Sequence, residues 1–73
     1  MTAYVLEIDN EWVYLEIDRQ IKFKARYHVK KGSRFPAPGS NVILTFVNNG
    51  SRQAKRIPGI YSERPPLVEL AVS

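Results

Sequence analysis

Apolar and polar residues alternate with period two over most of this chain, a pattern that puts every second side chain on one face of a β-strand. In the first segment Tyr4, Leu6 and Ile8 share a face, and Asp9-Asn10-Glu11 follows with turn chemistry. In the second, Val13, Leu15 and Ile17 face one way while Trp12, Tyr14 and Glu16 face the other. Asp18-Arg19-Gln20 turns the chain into a third segment, with Ile21, Phe23, Ala25 and Tyr27 on the inner face and Lys22, Lys24, Arg26 and His28 on the outer. Residues 30–40 contain Gly32, Pro36, Pro38 and Gly39, which sustain neither a central strand nor a helix, so a long ordered or mobile loop is expected.

Val42, Leu44 and Phe46 mark a fourth strand, with Ile43, Thr45 and Val47 opposite. Asn48-Asn49-Gly50 reads as a hairpin turn, because Asn-Gly readily adopts positive φ, and a fifth strand is expected at about 52–57. Pro58-Gly59 and Arg64-Pro65-Pro66 punctuate the remainder, leaving Leu67–Val72 able to form a sixth, short strand. No segment carries the helical period. The expected architecture is all-β: a small five-stranded OB-like or SH3-like barrel over residues 1–60, followed by a Pro-containing tail, 61–73, whose short strand serves for docking.

Size narrows the function classes. A chain of 73 residues buries only about 60% of the surface its unfolded form exposes, which leaves little core to surround a deep active-site cavity. With no cysteine there is no disulfide framework and no thiolate metal site. No apolar run reaches the roughly 18 residues of a membrane helix, and Met-Thr-Ala-Tyr lacks the basic start of a signal peptide. The cytoplasm, or a host cytoplasm for a viral chain, is the expected compartment.

The net charge of +4 hides a segregated layout. Residues 1–18 hold Glu7, Asp9, Glu11, Glu16 and Asp18 and no cation; residues 19–56 hold ten Lys and Arg and no carboxylate. Such a basic block is the usual footprint of a polyanion partner, although acidic and basic strands lying side by side would also cancel it.

A three-residue turn at Asp18-Arg19-Gln20 opposes Ile17 with Ile21, Leu15 with Phe23 and Val13 with Ala25, and this all-apolar inner set supports the register. The outer pairs are then Glu16 with Lys22, Tyr14 with Lys24 and Trp12 with Arg26. Two rings beside two cations suit single-stranded nucleic acid, since a ring stacks on any base while Lys and Arg hold phosphates. Alternatively, the tail or a partner covers Trp12 and Tyr14, or the pairs only stabilise the sheet. In the long loop, Lys30, Lys31, Arg34 and Phe35 form a candidate clamp, and Arg52, Lys55 and Arg56 a candidate extension of the phosphate track. His28 reads as a base-contacting or solvent-facing ring rather than a metal ligand or general base. No nucleophilic triad, Gly-rich phosphate loop or metal-ligand spacing is present in the sequence, so neither enzymatic activity nor a cofactor is expected.

Val42-Ile43-Leu44-Thr45-Phe46 and the following Gly50-Ser51-Arg52-Gln53-Ala54-Lys55-Arg56-Ile57 resemble the closing hairpin of cold-shock and S1-type domains. Tyr4-Val5-Leu6-Glu7-Ile8 through Lys22-Phe23-Lys24-Ala25 is similar in layout to bacterial translation initiation factor one, a bare OB-fold domain. The resemblance implies an OB-fold nucleic-acid-binding surface, with Trp12 and Tyr14 as stacking rings and Lys24 and Arg26 as their basic neighbours. Single-stranded RNA, slightly ahead of DNA, is the expected partner. The alternative is a protein-interaction module, a phage or bacterial accessory subunit or a homo-oligomer, that docks through the basic barrel face or residues 65–72. On the nucleic-acid reading, removal of 62–73 should leave the domain folded and active.

Overall fold

The protein's computed structural model describes residues 1–47 and 65–72. Five strands, β1 (Thr2–Ile8), β2 (Trp12–Ile17), β3 (Ile21–Val29), β4 (Asn41–Phe46) and β5 (Leu67–Val72), form a closed barrel in the order β1-β2-β3-β5-β4. All neighbours are antiparallel except β3 and β5, which run parallel. The barrel follows from the alternation. Ala3, Val5, Val13, Leu15, Phe23, Ala25, Val42, Leu44, Val68 and Leu70 are buried, and Ile8, Ile17, Ile21, Tyr27, Phe46 and Val72 pack against them. Among the described residues no polar or charged side chain is buried.

The β1 face departs from the simple alternation. Ala3 and Val5 are the core residues, and Tyr4 points outward with 40% of its surface exposed. Between Val5, opposite Leu15, and Glu7, opposite Tyr14, the register slips, so that Leu6 is an extra residue. A β-bulge of this kind resets which face each later side chain meets. Ile8 therefore joins the interior, and Tyr4, Leu6 and Ile8 do not share a face as period two predicts. Alternation counts residues, whereas a bulge changes how many residues span one partner.

Residues 30–40 are tied to the barrel at both ends. The Lys30 amide donates to the Leu70 carbonyl and the Val72 amide to the Ser33 hydroxyl, both at 2.8 Å. At the other end the Gly39 amide donates to Val5 O (2.8 Å) and the Val5 amide to Ser40 O (3.0 Å). Gly39 makes this return at φ 88°, in the left-handed region that a side chain disfavours. Pro36 is fully buried. With no helix possible there, a buried proline occupies the interior side of the loop.

β5 occupies a position that the tail reading did not anticipate. On one side it pairs with β3, from Arg26↔Leu67 to Val29↔Leu70; on the other it pairs with β4, from Val42↔Val72 to Phe46↔Val68. Val68 and Leu70 have no exposed surface. The strand expected to dock elsewhere therefore closes its own barrel. The hairpin at Asn48-Asn49-Gly50 and the strand expected at 52–57 lie outside the described residues, as do Arg52, Lys55 and Arg56.

Candidate nucleic-acid interface

The β2–β3 hairpin has the register that its inner apolar pairs require: Trp12↔Arg26, Val13↔Ala25, Tyr14↔Lys24, Leu15↔Phe23, Glu16↔Lys22 and Ile17↔Ile21. Asp18 and Arg19 turn the chain at φ 55° and 60°, and the Gln20 amide donates to Ile17 O at 3.2 Å. Two successive left-handed residues match the right-handed twist of the flanking strands. Asp tolerates that conformation, whereas Arg19 sits in it at a cost of about 1–2 kcal/mol.

On the outer face, Lys24 Nζ lies 4.3 Å from the centre of the Trp12 ring, a diagonal cation–π contact between β3 and β2. Tyr14 is 43% exposed, Arg26 is exposed and Trp12 is half-buried. Lys22 Nζ stands 3.9 Å from Glu16 Oε2 near the turn, so this cation is partly neutralised by its cross-strand partner. β1 adds Glu7 opposite Tyr14 and Tyr4 opposite Glu16. The row Glu7, Tyr14, Lys24 thus runs from acid through ring to cation across three strands. A depression of about 130 Å³ lies at its head, lined by Glu7, Ile8, Asp9, Trp12, Tyr14 and Lys24.

The loop between β1 and β2 fixes one wall of that depression. Asp9 Oδ1 accepts from the Glu11 amide (2.8 Å) and the Trp12 amide (2.7 Å), while the Asp9 amide donates to Trp12 O at 2.9 Å. This closed turn positions Trp12 at the start of β2. Those two amides, Trp12 first, hold the Asp9 carboxyl below its ordinary value; burial opposes them, and the Lys24 charge adds to the lowering. The stabilisation is therefore complete above the ordinary value of 3.8 and fades as pH falls through the lower folded value. Asp9→Asn keeps an acceptor but cannot titrate. Its urea midpoint should decline less than that of the wild type between neutral pH and pH values below 3.8; equal declines would show that the turn does not depend on the charge.

Tyr27 joins this loop to the next. Its hydroxyl donates to the Asp9 carbonyl, and its ring meets Phe35 edge-on at 6.2 Å. Burial, and then the Asp9 charge, raise the Tyr27 phenol above its ordinary value, which keeps it protonated as a donor. Phe35, 64% exposed, consequently lies at the same end of the barrel as Trp12. Lys30, Lys31 and Arg34 are also exposed on the 30–40 loop, but none has a described ion pair or ring contact with Trp12 or Tyr14. His28 pairs in register with Glu69, its Nε2 3.3 Å from Oε2, and so faces a carboxylate at the β3–β5 seam.

Trp12, Tyr14, Lys24 and Arg26 are thus brought together, Lys22 extends the row towards the turn, and His28 lies apart at the seam. Glu7 did not stand out in the sequence. Its place beside Tyr14 depends on the Leu6 bulge, which period two does not reveal. Compared with known proteins, the chain matches no family model, no curated protein and no solved structure.

Proposed function

We propose that this chain is a binding protein for single-stranded nucleic acid, RNA ahead of DNA, and that the strand lies across the outer face of β2 and β3. The observation that carries this reading is the outward pairing of Trp12 and Tyr14 with Arg26 and Lys24, with the Lys24 ammonium held 4.3 Å from the Trp12 ring. Flat rings take bases of any sequence, and adjacent cations take the phosphates. The β1-β2-β3-β5-β4 order further supports an OB-type barrel, a Greek-key class whose strand 2–3 face and flanking loops bind oligonucleotides. The 30–40 loop, with Phe35 at the Trp12 end, would close over the bound strand.

Docking by strand addition through Leu67–Val72 is less well supported, because β3 and β4 already occupy both edges of that strand. An incoming sheet would have to open the barrel.

Trp12 is the sole tryptophan, so its fluorescence reports directly on this face. Adding a single-stranded oligonucleotide at low salt should quench it, and log affinity should fall linearly with log salt at a slope of about −0.7 per phosphate neutralised, or roughly −2 to −3 for three or four contacts. Absence of binding at low salt, or binding indifferent to salt, would remove this function.

A further inference from the structure

We propose that the depression between Glu7 and Trp12 is a nucleobase subsite that favours guanine, with the Glu7 carboxylate accepting from the base's Watson–Crick edge. This rests on the nucleic-acid reading above and adds which base is preferred.

The outer face is ordered in one direction. β3 presents Lys24 and Arg26, β2 presents Tyr14 and Trp12, and β1 presents Glu7, with Glu7, Tyr14 and Lys24 aligned by register. A nucleotide has the same order: anionic phosphate, flat base, then the polar edge furthest from the phosphate. β1 and β3 stand two strand spacings apart, roughly 10 Å, the scale of a nucleotide from phosphate to base edge. With phosphate over β3 and the base against Tyr14 or Trp12, the edge points to Glu7. The reverse orientation would set phosphate against a carboxylate.

Carboxylate chemistry then selects among the bases, because an ionised carboxylate only accepts hydrogen bonds. Guanine presents N1–H and an N2 amino group side by side, two parallel donors that one carboxylate can take together. Adenine and cytosine present one amino group beside a ring-nitrogen acceptor, which repels the second carboxylate oxygen. Uracil presents N3–H between two carbonyls and is the poorest match. Asp9 also lines the depression, but its Oδ1 is engaged by the Glu11 and Trp12 amides. Both carboxylates are exposed, and Glu7 is the one in register with Tyr14 and Lys24.

Uridine oligonucleotides carrying one central guanosine, inosine or adenosine test this through Trp12 fluorescence. The guanosine oligonucleotide should bind about tenfold more tightly than all-uridine, with inosine, which lacks the N2 amino group, several-fold weaker than guanosine. Guanosine and inosine have closely similar ring systems, so their difference reports the edge rather than stacking. In Glu7→Gln, guanosine and inosine should converge to within about twofold with uridine affinity retained, since the amide offers both a donor and an acceptor. Equal wild-type affinity for guanosine and inosine oligonucleotides, or a guanosine preference over inosine that survives Glu7→Gln, would overturn the subsite and leave nucleic-acid binding intact. Failure of every oligonucleotide to bind would overturn both.

Discussion

Removing residues 67–73 unfolds this protein: the shortened chain should lose its near-ultraviolet circular dichroism and its cooperative urea transition. The loss follows from where β5 sits. Its removal takes away two fully buried side chains, Val68 and Leu70, and strips the backbone partners from β3 and β4 together. The Lys30 amide loses the Leu70 carbonyl and the Val47 amide the Leu67 carbonyl, while the Arg26 amide keeps only Pro66 O, now at the free end of the chain. Leu70→Ala is the milder version. It should cost about 2–5 kcal/mol, a large share of the roughly 5–15 kcal/mol that holds a typical domain together. A shortened chain that still melted cooperatively would mean that β5 is an accessory strand, as the tail reading has it. That reading treated the segment as dispensable for folding.

The second large effect belongs to the interface. Trp12→Ala with Arg26→Ala should lower affinity for a single-stranded oligonucleotide by at least tenfold, since one stacked base is worth about 1–3 kcal/mol and one lost phosphate contact adds to it. Arg26→Ala should also reduce the salt slope by about 0.7. Folding should change much less. Arg26 is exposed, Trp12 is only half-buried, and the cation–π contact with Lys24 contributes about 0.5–1 kcal/mol at such a site. Trp12→Ala also removes the intrinsic fluorophore, so binding is read by anisotropy of a labelled oligonucleotide, and urea melts are followed by circular dichroism. Affinity within twofold of the wild type in the double variant would detach nucleic-acid binding from this face.

These two results concern parts of the chain that were legible from sequence to different degrees. The β2–β3 hairpin was fully legible. Its inner pairs, Val13 with Ala25 and Leu15 with Phe23, are apolar in only one sensible register, and that register sets Trp12 beside Arg26 and Tyr14 beside Lys24. β4 was equally plain, with Val42 and Leu44 buried and Ile43 exposed. β1 was less so, because Leu6 bulges and moves Glu7 beside Tyr14 while Ile8 turns inward. The charge segregation had two explanations, and the geometry separates them in part. Glu16 and Lys22 do approach, at 3.9 Å, yet Glu7 and Lys24 stand on opposite sides of Tyr14.

Local alternation and a turn a few residues long are enough to read the all-β class, the core positions of β2, β3 and β4 and the hairpin that carries the rings directly from the residues. Which strand closes the barrel, where β1 bulges, and that Glu7 stands beside Tyr14 follow only from the folded arrangement. Those outcomes depend on contacts between residues far apart in the chain, such as Leu70 with Val29 and Leu44, or Tyr27 with Asp9. A local pattern shows that Leu67–Val72 is a strand with an apolar face. Which edges it meets is settled only when β3 and β4 present theirs together.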